Sequence, residues 1–216
     1  MNSLFKSLTS KSLMDRCFLT LVQEWFENAA DRANPLIKGG EYKRVNKDGG
    51  YTCIHLHLDQ FMSAMRSLVT YMNWKPKHLR RLKFIDVGCG VGQKVFVAHL
   101  LGFDSYGLEL RKELVEEAKN VTANLHMFKT DRCATNFFML GDALKFKNYS
   151  DYDVIYFYCP LFKHELQVKL EKRVQTQAKK GAIVIGFLPR NFDAVGSDTH
   201  KKSGWKLIGM NMWQKQ

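Results

Sequence analysis

The sequence predicts an α/β protein whose core is a doubly wound, mostly parallel sheet of seven strands, preceded by a helical extension. Three observations predict it. From residue 82 onward short apolar runs alternate with helical stretches, and that alternation implies a parallel sheet covered on both faces. The first apolar run leads directly into three alternating glycines and then a helix. The last two short runs lie so close together that they form a pair of adjacent strands. With 216 residues, 45% of them apolar and 25% charged, the composition is that of a globular protein and excludes disorder, collagen and coiled coil as the main architecture. The expected division is an extension over residues 1–58 and a core over residues 59–216.

Residues 12–33 read as an amphipathic helix. Leu13, Phe18, Leu21, Val22, Trp25 and Phe26 recur at three- and four-residue steps, Ser10 or Ser12 can cap the start, and Asn34-Pro35 ends it. A polar, glycine-rich stretch follows over residues 38–51. Asp59 is expected to cap a second helix running to residue 72, with Phe61, Met62, Met65, Leu68, Val69 and Met72 on one stripe. Lys75-Pro76-Lys77 then punctuates the chain. Strands are expected at 82–87, 105–110, 136–140, 152–158, 182–188, 205–209 and 212–214. Helices are expected at 92–101, 111–124 and 163–180. Nine residues separate Asp142 from Tyr152, too few for a standard helix with its loops. At ~3.3 Å per residue they still reach about 30 Å, enough to cross the sheet.

Lys plus Arg is 33 against 21 for Asp plus Glu, a net charge of +12. That balance favours an anionic partner surface. Five cysteines, Cys17, Cys53, Cys89, Cys133 and Cys159, are scattered without a Cys-x-x-Cys pair, which suits a reducing compartment. Lys6, Lys11, Asp15 and Arg16 interrupt every early apolar run, so no signal peptide is expected. No apolar run approaches the ~18 residues that cross a bilayer. These features predict no membrane association and an intracellular, cytoplasmic place, with the nucleus as the alternative.

The chemistry concentrates in Phe84-Ile85-Asp86-Val87-Gly88-Cys89-Gly90-Val91-Gly92-Gln93. A buried strand entering Gly-x-Gly-x-Gly lets the backbone turn tightly and a ligand lie against it. The dinucleotide fingerprint would place its third glycine one residue later. Glu109 stands at the end of the next strand, where a carboxylate can accept hydrogen bonds from both hydroxyls of a ribose.

From about Tyr51 onward this pattern resembles the class I, Rossmann-like S-adenosylmethionine-dependent methyltransferases. The resemblance implies S-adenosyl-L-methionine as the cofactor and an antiparallel C-terminal strand inserted into the sheet. It implies that Asp86, Gly88, Cys89, Gly90, Gly92 and Gln93 face the methionine part. It implies further that Glu109 and Leu110 hold the ribose side, and that Asp142 and Ala143, after the third strand, frame the adenine. An NAD-binding protein is the competing reading of the loop.

The acceptor is expected beside the fourth strand, Asp153-Val154-Ile155-Tyr156-Phe157-Tyr158-Cys159-Pro160-Leu161. Adenine amino methyltransferases carry Asn/Asp-Pro-Pro-aromatic there, and this chain has no polar residue at the first position. Cytosine-5 methyltransferases use Pro-Cys, and here the order is Cys159-Pro160. The cofactor half is similar to the lysine methyltransferases of the disruptor-of-telomeric-silencing type, which implies a protein amine as acceptor and a segment near Tyr51 closing over the site. Tyr156, Tyr158 and Pro160 would then build an aromatic channel favouring a neutral amine. The alternatives are a nucleic-acid or small-molecule acceptor, or a non-catalytic module keeping the fold. A macromolecular substrate, protein before nucleic acid, is the expectation.

Cys53, His55, His57 and Asp59 alternate as a strand face would, but their spacing matches no zinc pattern, so no metal is expected. Basic clusters occur at Lys75, Lys77, Arg80, Arg81 and Lys83 and again at Lys169, Lys172, Arg173, Lys179 and Lys180.

Overall fold

In the computed structural model, residues 13–33, 58–79, 81–124, 137–158, 160–161, 163–187, 204–209 and 211–216 are described. Two helices come first, α1 (Leu13–Ala33) and α2 (Leu58–Tyr71), then a single turn, α3 (Pro76–Leu79). The alternating core follows: β1 (Lys83–Val87), α4 (Gln93–Leu101), β2 (Asp104–Glu109), α5 (Lys112–Asn124), β3 (Phe138–Leu140), a 3-10 turn (Tyr149–Asp151), β4 (Val154–Tyr158), α6 (His164–Gln177) and β5 (Ile183–Phe187). A strand pair, β6 (Trp205–Gly209) and β7 (Met212–Lys215), ends the chain. The seven strands lie in the order β3-β2-β1-β4-β5-β7-β6. The first five are parallel, and β7 is antiparallel to both β5 and β6. This is the expected sheet, with the C-terminal antiparallel strand in place.

The pleat sorts side chains onto two faces. Phe84, Val154 and Tyr156 belong to a core shared with α1, α2 and α4, while Ile85, Val87, Ile155 and Phe157 pack with Leu170 and Val174 of α6. Helix α1 is integral to the first core. Val22, Phe26, Ala29 and Ala30 are buried in it, and the Phe26 ring lies 5.5 Å from Phe96. The division expected at residue 58 therefore separates sequence stretches, while one hydrophobic core spans both.

Local departures from expectation have local causes. Helix α2 begins at Leu58, one residue before Asp59, and the Leu58 N–H donates to Gln23 Oε1 of α1 at 3.3 Å. Asp59 Oδ1 accepts from the Gln60 N–H inside the first turn, so the cap comes from α1. Pro76, read as punctuation, is the first residue of α3, where its missing N–H costs nothing. Helix α6 stops at Gln177, three residues before the expected end. The Lys215 ammonium donates to the carbonyls of Gln175 at 2.8 Å and Ala178 at 2.7 Å, filling the orphan acceptors of that terminus. The β3-to-β4 crossover contains no α-helix, as its length demanded. The Tyr149 hydroxyl donates to Ala143 O at 3.0 Å, and Arg173 of α6 donates to Phe146 O at 2.6 Å and Lys145 O at 3.0 Å. The candidate caps Ser10 and Ser12 lie outside the described residues. Among the described residues no helix is long and apolar enough to cross a membrane.

Candidate functional site

The carboxyl ends of β1 to β4 converge on one edge of the sheet, and the glycine loop is its centre. Gly88, Gly90 and Gly92 have φ of 78°, 56° and 83°, left-handed values that an L side chain adopts only at a cost of about 1 kcal/mol or more. The N–H groups of Gly88 and Cys89 both donate to Leu108 O, at 2.7 and 3.1 Å, tying the loop to β2. Neighbours leave no room for side chains. A Cβ at Gly88 would stand 2.6 Å from Pro160 Cβ, and one at Gly92 would meet the Phe138 ring. The β1 loop thus touches the segment after β4 on one side and β3 on the other. Cys89 is buried, with its sulfur against the space a Cβ at Gly107 would need.

Glu109 ends β2 with 9% of its surface exposed. Its Oε2 accepts from the Gly90 N–H at 3.0 Å, and its Oε1 accepts from the Arg111 N–H at 3.0 Å. Each oxygen keeps a further lone pair for a ligand hydroxyl. Burial raises its pKa, and the N–H groups of Arg111, Gly90 and Leu110 and the Arg111 guanidinium pull it back. Asp86, near the end of β1, is shifted in the same direction. Burial pushes its carboxyl up to about 7, opposed by the Lys94 ammonium and reinforced by Glu109.

Gln93 and Lys94 open helix α4 and are 1% and 5% exposed. The Lys94 ammonium donates to Gln93 Oε1, and Gln93 Nε2 has no hydrogen-bond partner. The Nε2 amide is a buried orphan donor, which an acceptor group on a ligand would complete. Lys94 was missed in the sequence. The signal was a lysine directly before the apolar run 95–98, a place where a charge is buried only with partners.

Leu110 and Leu140 are 46% and 56% exposed beside Glu109, whose register partner is Leu140. Two bare leucines flanking the acid offer a surface for a flat apolar ring, and Leu140 had no sequence signal beyond its place at a strand end. Asp142 follows as a turn residue. Its Oδ1 accepts from the Leu144 N–H at 2.8 Å, and its Oδ2 lies 3.6 Å from Lys145 Nζ. Ala143 is half-buried and its carbonyl takes the Tyr149 hydroxyl.

The expected aromatic channel divides. Tyr158 and Pro160 are half-buried at the end of β4. Tyr156 is 2% exposed, with its ring 5.1 Å from Phe61 and 6.2 Å from Phe84. It shares the Tyr158 face but sits one pleat deeper, under α2, so it is a core residue and lines no channel. Tyr51 and Cys159 lie outside the described residues, as do Cys53, His55 and His57. Among the described residues no cluster of metal-ligating side chains occurs.

Residues 78–195 match the family described as a methyltransferase domain. Two solved structures share the fold. A candidate RNA methyltransferase from Pyrococcus horikoshii is 16% identical with a TM-score of 0.53, over 82% of this chain and 79% of its own. The magnesium protoporphyrin IX methyltransferase of Synechocystis PCC 6803, solved with bound SAM, is 15% identical with a TM-score of 0.52, over 87% of this chain and 97% of its own. At such identities the likeness is one of fold. No curated protein sequence matches the chain.

Proposed function

Because the chain belongs to the methyltransferase-domain family and takes its methyl group from S-adenosylmethionine, we propose that it methylates an amine of a protein, with a lysine side chain as the acceptor. The residues of the loop fit that donor. Glu109 accepts the ribose hydroxyls through the lone pairs left on its two oxygens, and Leu110 and Leu140 cover the adenine. Gln93 Nε2 donates to the carboxylate, and Asp86 faces the ammonium. Asp142 and Ala143 contribute through the turn that shapes this edge.

The observation that carries the acceptor reading is the seam between Gly88 and Pro160, where a Cβ on the glycine would stand only 2.6 Å from the proline. In this reading the methionine end of the donor lies beside Tyr158 and Pro160. Tyr158 and Pro160 carry no charge and are half-buried. The bound donor supplies a methyl group on a sulfonium, already strongly electrophilic, so the protein's task is to orient and desolvate the acceptor. An apolar aromatic wall favours an amine without its proton, which is the nucleophilic form. Neither Tyr158 nor Pro160 offers a carboxamide or carboxylate of the kind that grips the exocyclic amine of a base. The net charge of +12 attracts acidic protein regions over a distance set by salt.

Methyl-labelled S-adenosylmethionine added to a lysate tests this. Label should resist nuclease and disappear with protease, and incorporation should fall between about 50 and 300 mM salt. Tyr158→Ala should lower turnover at least about tenfold while donor affinity stays put, because the ring acts on the acceptor side. Cys159→Ser should change little. Label in the nucleic-acid fraction would overturn the lysine acceptor and leave donor binding untouched.

A further inference from the structure

We propose that Lys94 is a positioning residue for the methionine end of the donor: its ammonium takes the Gln93 amide oxygen and leaves the buried Nε2 as an unpartnered donor, so that the site favours a carboxylate on its ligand. This rests on the donor assignment above and adds a residue to it.

The argument begins with what a buried ammonium needs. Lys94 is 5% exposed, in the first turn of a nine-residue helix. An ammonium has three donors and no acceptor, so at this depth it must face oxygens. One is Gln93 Oε1. A glutamine amide can rotate by half a turn and exchange its oxygen for its nitrogen, and most buried amides are held one way by whichever neighbour tells the two apart. Lys94 does so absolutely, because ammonium against amide N–H is donor against donor. The amide oxygen is consumed by the lysine. The amide nitrogen, in a side chain 1% exposed, is left with no hydrogen-bond partner.

The surroundings make that nitrogen an anion donor. Gly92, the N-cap of α4, provides no side-chain cap for the first N–H groups of the helix, and Gln93 is the first residue of that positive dipole end. Asp86 is the countercharge. The ionisable groups facing it are Lys94 from α4 and Glu109 from β2, while its neighbour on β4 is Tyr156. Lys94 thus stands between the acid for the ligand ammonium and the amide for the ligand carboxylate. A ligand bringing both charges satisfies each. One lacking the carboxylate leaves the amide and the helix end unpaired.

Binding of S-adenosylhomocysteine and of its decarboxylated counterpart, measured by calorimetry, tests the idea. The wild-type protein should prefer the carboxylated probe by about tenfold or more, as a site built on buried donors does. Lys94→Met should erase most of that preference by weakening S-adenosylhomocysteine alone, and Lys94→Arg, which keeps the donors, should restore much of it. Should the methionine variant not fold, the wild-type protein still decides. The side-chain amide resonances of Gln93 should shift with S-adenosylhomocysteine and stay unmoved with the decarboxylated probe. A preference retained in Lys94→Met, or Gln93 resonances that respond alike to both probes, would overturn the role of Lys94 while leaving the donor assignment standing. A wild-type protein that binds neither probe would overturn the donor assignment itself.

Discussion

The two halves of the sheet are built on opposite principles. Around β1, β2 and β3 the chain buries groups that resist burial: Asp86, Gln93, Lys94 and Glu109 lie within reach of one glycine loop. Around β4, β5, β6 and β7 it buries rings. Tyr156, Phe157, Trp205 and Trp213 fill that half, and the buried acid there, Glu171, is served by one amide of Gln167 at 3.2 Å. Buried polar groups cost several kcal/mol unless partnered, so a cluster of them marks where a ligand completes the partnering. Unpartnered buried atoms occur in the second half too, at Gln167 Oε1 and Trp205 Nε1.

The largest expected effect breaks the first half outright. Gly92→Val combines a left-handed φ of 83° with a collision against Phe138, and should cost about 4 kcal/mol of stability in denaturant unfolding. A stable variant would mean that the loop can move away from β3. Next in size, Glu109→Ala removes the acceptor for the ribose and leaves the Gly90 N–H bare. Affinity for S-adenosylmethionine should fall by about 2–4 kcal/mol in calorimetry, and undiminished binding would remove the ribose assignment.

The two buried acids sharpen the contrast through pH. Burial pushes Glu171 up to about 8 from an unfolded value of 4.5. The folded state therefore holds a proton that the unfolded state has released, and stability falls as pH rises through that window. Glu171→Gln should remove this slope and stabilise the protein at pH 8.5 by about 2 kcal/mol, read from thermal melts at several pH values. Asp86 shares the direction of shift, and under the proposed donor assignment its charge faces the ligand ammonium. Donor affinity should rise about tenfold as pH passes upward through about 7, and Asp86→Asn should flatten the profile at its weak end. If Asp86→Asn binds as tightly as the parent at pH 8, the acid has no part in binding. The smallest effect belongs to the ring in the core: Tyr156→Phe should leave turnover within about twofold, because no substrate reaches it.

How much of this was legible follows from where information sits in a chain. Asp86, the three glycines, Gln93 and Glu109 are adjacent or one βα unit apart, so a local pattern suffices to place them together. The seven strands were legible for the same reason, since apolar periodicity is local. The partition of Tyr156 from Tyr158 was not, because alternation puts both on one face and only the packing of Phe61 decides how deep each lies. Nor was the cap of α2, which comes from Gln23, thirty-five residues away.

By itself, then, the sequence determined the strand and helix order, the glycine turn that needs left-handed backbone, and the acid that follows one strand later. Tertiary structure alone decided that α1 belongs to the core, that Gly88 lies against Pro160, that Leu140 stands bare beside Glu109, and that the Lys94 ammonium bonds the Gln93 amide oxygen and leaves its nitrogen unpartnered. Each of these depends on the distance between side chains far apart in the chain or on the direction of a buried polar atom. Periodicity and spacing encode neither, because both are settled only when the sheet closes and water leaves.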